Sequence, residues 1–468
     1  MGYAEPVYGM FEVHLEDLLK LNKRTRVALA EEFRSRLFES AREAKGGWEA
    51  LSKYLTGLLG RNISGASLGR WEAGKRYIKS RNTWIDAPAP LDVVVALSEM
   101  FSEDNKKLGL REIEKHVLFL KGQGNSYRVW LPRFPISLGN SHTAAVIGHV
   151  LHDGHLEEQR LRVVYCNKEL ENLIHYRRSV EGMLGARKVE FGEINDKDGT
   201  VRLSCPNLVG YFLVLLGIQP GNKLKINAAP PPSLVNCKRE VIEGYLRALS
   251  TDEASVRPAS NGSGGCIKIE LASRSSAKPS KLIQADREIF KKVGINPGQV
   301  HLSTVRLTKR GEISARWLFI ITGRKNFEIF EERVGFVLTR KKDKLNQILK
   351  RYRYPTDYLM LRNNFRTKLF QNAVRCSGGI YHYCAWLEHK LGRKISLASM
   401  RDWIGGRFPS PLDVVAATLE MLNEKLGAGL SLADVYPNIV LYKPDRNSET
   451  TLSREGLTCL FEKLGFKI

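Results

Sequence analysis

A stretch near the start of this chain returns near its end at a constant offset. Phe33-Arg-Ser-Arg-Leu-Phe38, Gly46-Gly47, Leu55, Leu59-Gly60-Arg61, Ile63-Ser64, Ala66-Ser67, Trp71 and Gly74 recur as Phe365-Arg-Thr-Lys-Leu-Phe370, Gly378-Gly379, Leu387, Leu391-Gly392-Arg393, Ile395-Ser396, Ala398-Ser399, Trp403 and Gly406. The first copy then carries an extra loop, Tyr77 to Ala87, before Pro90-Leu-Asp-Val-Val94 answers Pro411-Leu-Asp-Val-Val415. Such spacing means that one fold unit is used twice, with different material between the copies. Within each copy, apolar positions such as Trp48, Leu51 and Leu55 follow helical spacing and a Gly-Arg turn comes next. Ser64 or Ser396 then stands where an N-cap opens a further helix, expected in the first copy to run through Arg76.

At 468 residues the chain has room for three or four domains of about 100 to 200 residues each. Lys and Arg number 73 against 50 Asp and Glu, a net charge of +23, which calls for a polyanionic partner. No apolar run approaches the roughly 18 to 20 residues that span a bilayer, and no signal peptide precedes the first polar stretch, so nucleic acid is favoured over a membrane. The expected location is cytoplasmic and nucleoid-associated. Seven scattered cysteines without a C-x-x-C pair give no zinc site and read as reduced core residues.

Between the copies, from about Phe134 to Leu349, strands alternate with helices, the pattern of a separate α+β unit. An apolar helix, Thr143 to Gly154, ends in Asp-Gly and precedes strand material at Arg160-Leu-Arg-Val-Val-Tyr165 and a helix from about Lys168 to Leu184. A second series begins with the helix Val241 to Val256 and continues with a strand at Ile267 to Leu271. Four domains are expected: 1–125 and 351–468, helical, and 126–230 and 231–350, two related α/β repeats.

These two repeats resemble the single-chain LAGLIDADG homing endonucleases. The likeness extends through Val201-Arg-Leu-Ser204, Leu216-Gly-Ile-Gln-Pro-Gly-Asn-Lys223, Ile321-Thr-Gly-Arg-Lys-Asn-Phe327 and Arg340-Lys-Lys342. It implies tandem αββαββα repeats forming a DNA-binding saddle with internal pseudo-two-fold symmetry, so that a monomer suffices. By the same resemblance Gly148 is the packing glycine, Asp153 the metal-binding acid and Gly154 the helix terminator of the first motif. In the second motif these places fall to Ala248, Glu253 and Ala254, with Asp252 as the other acid available. Glutamate adds a methylene, and alanine resists the left-handed conformation that a terminating glycine accepts. The implied cofactor is Mg²⁺ or Mn²⁺, with no organic cofactor, and Lys225 is the basic residue expected beside the acids. Asn227 stands where the family often has Lys or Arg.

The helix Ser64 to Arg76 followed by Pro-Leu-Asp resembles the phage-repressor type of helix-turn-helix. That resemblance gives Ser64, Ser67, Arg70, Lys75 and Arg76, and in the second copy Ser396, Ser399, Arg401 and Arg407, as contacts to bases and phosphates. Alternation along the strands adds Arg160, Arg162, Arg202, Lys268, Arg306 and Arg316 on the saddle. Double-stranded DNA is therefore the expected partner. The expected activity is metal-dependent hydrolysis of DNA phosphodiesters at a specific site. A catalytically inactive transcriptional regulator or chromosome-binding protein on the same scaffold is the alternative, and an RNA maturase comes third.

Overall fold

The computed structural model describes residues 10–463 except 23, 79–82, 102–107, 123–126, 259–263, 308–312, 352–356, 393, 446–447 and 451. It is mixed α/β with several small sheets, and no described helix is long and apolar enough to cross a membrane. Contacts divide the chain into two compact units, Met1–Ser255 with Ile267–Ile320 and Ile329–Lys342, and Val256–Cys266 with Ile321–Glu328 and Asp343–Ile468.

In the first unit β1 (Arg26–Leu29) leads into α1 (Glu31–Lys45), α2 (Trp48–Leu59) and α3 (Gly65–Ala73). Helix α1 buries Phe33, Leu37, Phe38 and Ala41, an amphipathic stripe turned to its neighbours. Ser64 caps α3 by accepting from the Ser67 N–H. The helix expected to reach Arg76 stops at Ala73, because Gly74 turns left-handed at φ 67°. Lys75 and Arg76 therefore open a strand, β2 (Lys75–Ile78), which pairs antiparallel with β3 (Thr83–Asp86) from Lys75↔Asp86 to Ile78↔Thr83. The extra loop of the first copy is largely this hairpin, built from the aromatic and β-branched residues that suit strands.

Strand β4 (Ala89–Pro90) and α4 (Leu91–Glu99) follow, then β5 (Val117–Lys121) and β6 (Arg128–Trp130). These strands form one sheet with β1, whose far edge is strand Lys188–Val189. The sheet runs across the boundary expected at 125, which falls among the undescribed residues 123–126.

The centre holds one order of elements twice. First come α5 (Ser141–Leu151), β7 (Gly154–Leu156), β8 (Val163–Asn167), α6 (Leu170–Leu184), the edge strand β9 (Lys188–Val189), β10 (Gly192–Asn195), β11 (Val201–Ser204) and α7 (Asn207–Leu215). Then come α8 (Arg239–Glu253), β12 (Ala254–Pro258), β13 (Gly265–Ser273), α9 (Lys281–Lys292), β14 (His301–Leu307), β15 (Ile313–Ile321), α10 (Arg324–Ile329) and α11 (Thr339–Arg351). The sheets run β10-β11-β8-β7 and β14-β15-β13-β12, the same order position for position. One face of each is buried through Val163, Tyr165 and Leu203, or Ile267, Ile269, Ala315 and Phe319, and the alternate residues face away.

The strand expected from Arg160 begins only at Val163. Arg160 lies in the preceding turn and Arg162 just after it, paired with Glu157 at 2.6 Å, because the chain is still reversing after β7.

The second unit contains β16 (Tyr358–Leu361), α12 (Asn363–Cys376), α13 (Ile380–Leu391), α14 (Leu397–Gly405), β17 (Ser410–Pro411), α15 (Leu412–Leu426), β18 (Ile439–Asp445) and β19 (Ser448–Thr450). It repeats the internal plan of α1 to α4. Ser396 caps α14 through the Ser399 N–H as Ser64 caps α3. Arg34 donates to Leu29 O and Glu72 O at 3.1 and 2.6 Å, and Arg366 to Leu361 O and Ile404 O at 3.3 and 3.2 Å. This copy passes from Gly406 to Pro411 without a hairpin, and Arg393, the counterpart of Arg61, lies outside the described residues.

Candidate active site at the ends of two packed helices

Helices α5 and α8 pack along their length. A Cβ on Gly148 would lie 2.8 Å from the Ala248 Cβ and 2.8 Å from Tyr245 O, and one on Gly244 would lie 2.5 Å from Ser141 O. Small side chains are thus what lets the two backbones approach. Gly148 and Ala248, the expected packing positions, lie against each other.

The helices end differently. Helix α5 stops at Leu151 and Asp153 sits in the turn beyond, whereas Glu253 is the last residue of α8. Neither terminating position uses the left-handed region. Gly154 is not among the positive-φ residues, and Ala254 leaves its helix extended at φ −75°, ψ 136°. Glycine is needed at 154 for another reason, since a Cβ there would stand 2.7 Å from the Val150 Cα.

Three carboxyls gather at these ends. Asp153 opens to solvent, yet the protein wall around its base and then the charge of Asp252 push it up to about 6. Burial, then the like charges of Asp153 and Asp252 acting against the pull of His152, raise Glu253 to about 7. Asp252 turns inward, its side chain wholly buried, with Oδ2 2.8 Å from His149 Nδ1 and Oδ1 accepting from the Tyr165 hydroxyl at 2.8 Å. His149 Nε2 lies 2.8 Å from His175 Nδ1, and burial followed by His149 lowers His175 to about 3. Asn167 Nδ2 bridges the network to the cleft by donating to Tyr165 and to Asp153 Oδ2, each at 3.1 Å.

A second buried pair supports the other helix end. His152 Nε2 lies 3.1 Å from Asp286 Oδ2, its Nδ1 lies 2.7 Å from Gly148 O, and Tyr245 donates to Asp286 Oδ1 at 2.6 Å. Burial alone would lower His152, but the charge and hydrogen bond of Asp286 prevail and hold it at about 9. At neutral pH it is therefore an imidazolium donating from both ring nitrogens.

Two lysines complete the site. Lys223 donates to His152 O past the end of α5, and Lys341 of α11 donates to Ser250 O at 3.2 Å and Thr251 O at 2.6 Å in the last turn of α8. Each satisfies backbone carbonyls that the helix end leaves open. Burial lowers both, Lys341 to about 8. Lys225, the lysine expected here, is exposed, because Lys223 and Lys225 point to different sides of a short helix. Lys341 and His149 were missed as site residues, and Asp252, the other acid available, turns inward instead; each meets its partners only through contacts far apart in sequence.

An open cleft of about 320 Å³ adjoins the acids, lined by Asp153, Asn167, Asn172, Asp252, Arg340 and Lys341 among others. Asn172 Oδ1 is buried there without a hydrogen-bond partner. Among the described residues no three His, Cys, Asp or Glu side chains form a metal-holding group. Mg²⁺ needs no such cage, since it is commonly held by one or two carboxylates plus water and substrate phosphate. Asp153 lines this cleft and Glu253 lies within electrostatic reach of it, so two carboxyls are on hand for such a donor set.

The expected DNA contacts are spread over the surface. Arg70 on α3 donates to Ala66 O at 3.1 Å and to Ser67 Oγ at 2.9 Å, leaving both side chains along the helix exterior. Lys75, Arg76, Arg160, Arg306 and Arg401 are exposed. Arg202 pairs with Asp196 at 2.7 Å, Lys268 and Arg316 with Glu270 at 3.0 and 3.9 Å, and Arg407 with Asp402 at 3.2 Å. Ion pairs at an exposed surface are weak, so they do not lock these cations away from a competing anion. Among known proteins, no family and no curated sequence matches this chain.

Proposed function

We propose that this protein binds double-stranded DNA at specific sites and hydrolyses a phosphodiester there, as a monomeric nuclease of the LAGLIDADG homing-endonuclease type. One observation carries the reading: Asp153 and Glu253, within electrostatic reach of each other and of Lys223 and Lys341, stand at the ends of two helices packed on Gly148 and Ala248. The strand order repeated in the two central sheets and the net charge of +23 agree with it.

In this reading Asp153 and Glu253 would hold Mg²⁺ or Mn²⁺, whose chemistry there would be activation of water and stabilisation of the leaving oxygen. Lys341 and Lys223 place positive charge beside the scissile phosphate, and Asn167 orients Asp153 through Oδ2. Arg202, Lys268, Arg306 and Arg316 on the open sheet faces grip the duplex. Helices α3 and α14 act as the recognition helices of helix-turn-helix domains at the two ends, and their different residues favour an asymmetric target.

A non-cleaving regulator is the second reading. It is favoured by Asp252, which is committed to His149 and Tyr165 and so leaves the second motif one acid for a metal. Purified protein is incubated with a DNA library and Mg²⁺ or Mn²⁺, beside Asp153→Asn and Glu253→Gln. The nuclease reading expects cutting that both variants lose. Tight binding with no cut under either metal leaves the regulator.

A further inference from the structure

Hairpin β2–β3 has no core of its own. Tyr77 and Trp84 face each other across the strands with ring centroids 5.3 Å apart, yet they are 42% and 64% exposed, and Ile85 is 37% exposed. A lone two-stranded hairpin is marginal in water, so a surface like this calls for a covering partner. Its base is fixed. Asp86 pairs with Arg128 at 2.7 Å, and the Ala87 N–H donates to Gly74 O at 2.9 Å, directly past the end of α3.

Cations crowd around it. Lys75, Arg76 and Arg26 are exposed, while the nearby carboxylates are taken, Asp86 by Arg128 and Asp92 by Arg61 at 2.8 Å. Burial, then the charges of Arg61 and Arg76, lower the Arg26 guanidinium below its ordinary value against a smaller opposing pull from Asp92, as expected where cations crowd together. Flat aromatic surface beside unneutralised cations suits the backbone of a nucleic acid, where phosphates take the charge and sugar or base edges take the ring.

We propose that hairpin β2–β3 is a second DNA contact of the amino-terminal copy: Lys75 and Arg76 hold phosphates, and Trp84 packs against sugar or base edges of the groove next to the one α3 occupies. The inference rests on the DNA-binding reading above. The carboxy-terminal copy lacks the hairpin, so the added contact belongs to the amino-terminal copy alone.

The full chain is titrated with a random-sequence DNA duplex over a range of salt, comparing wild type with Lys75→Ala/Arg76→Ala, Trp84→Ala and, on α3, Arg70→Ala. All the altered side chains are exposed, and thermal melting checks that each variant is folded. Losing two phosphate contacts is expected to flatten the slope of log affinity against log salt by about 2. Trp84→Ala is expected to weaken binding about ten-fold with the slope unchanged, and part of the DNA-induced quenching of wild-type tryptophan fluorescence should be lost in that variant. Hairpin variants that bind like wild type while Arg70→Ala weakens binding would overturn the hairpin contact and leave the DNA reading standing. A wild-type chain that binds no duplex at low salt overturns both. If Trp84→Ala changes only self-association or binding to anionic vesicles, the surface serves another partner and the inference is wrong.

Discussion

Gly148→Ala tests whether the two central helices are as close as their small residues allow. The new Cβ would stand 2.8 Å from the Ala248 Cβ and 2.8 Å from Tyr245 O. Non-bonded carbons settle at about 3.5 to 4.0 Å, so the helices must part by roughly 1 Å or distort. Overpacking of this kind costs about 1 to 3 kcal/mol. Against it, alanine in a helix interior is favoured over glycine by about 1 kcal/mol. The net expectation is a loss of up to about 2 kcal/mol. Gly69, which has nothing within 4 Å of an added Cβ, isolates the opposing effect, and Gly69→Ala should stabilise by about 1 kcal/mol. Urea midpoints at equal m-value measure both. Adding Ala248→Gly to Gly148→Ala removes the methyl clash but leaves Tyr245 O in the way, so the double variant should show a favourable coupling of at least about 0.5 kcal/mol. A Gly148→Ala protein as stable as Gly69→Ala, or a cycle without coupling, would refute the close approach.

Three further outcomes follow from the buried groups. His152 is held at about 9 by Asp286 against an ordinary 6.5, so the stability it contributes is complete below about 6.5 and is lost as pH rises through 9; urea midpoints of His152→Gln should lack that decline. Asp153 and Glu253 are raised to about 6 and about 7, so the metal-free fold weakens as pH climbs from about 4 through those values. Asp153→Asn and Glu253→Gln should therefore melt higher than wild type at pH 8 and lose any stabilisation by Mg²⁺; lower melting of both would contradict the crowding. His149→Ala leaves Asp252 buried without its imidazole and should cost about 3 to 5 kcal/mol, while a urea midpoint within about 1 kcal/mol of wild type would mean the pair is not closed to water.

What could be read from sequence was what a short window contains. Helices α5 and α8, their small residues and the acids at their ends are all signalled within about a dozen positions, and so are the serine caps of α3 and α14. Helix ends and partners were not legible. The α3 end passed for more helix because Gly74 stands before residues, Lys75 and Arg76, that suit a helix as well as a strand. Asp252 is satisfied by Tyr165 and His149, which only the packing of one repeat on the other brings to it, and Lys341 reaches the site from a helix beyond both sheets.

The helix ends also alter the weight placed on Glu253. Its extra methylene counts as a mismatch only if the two acids start from equivalent positions. They do not: Asp153 has left α5 and entered the turn, while Glu253 is still held by α8. An acid anchored inside its helix begins farther back along the axis, and a longer side chain offsets that deficit. Asp252 cannot substitute, because turning it outward would break its bonds to His149 and Tyr165. Glu253→Asp is therefore expected to behave like Glu253→Gln, losing Mg²⁺-dependent stabilisation in a thermal melt, although it keeps the charge. Asp153→Glu, at the solvent-open turn, is expected to retain part of it. A Glu253→Asp protein with the full wild-type response to Mg²⁺ would show that reach is not what the glutamate provides.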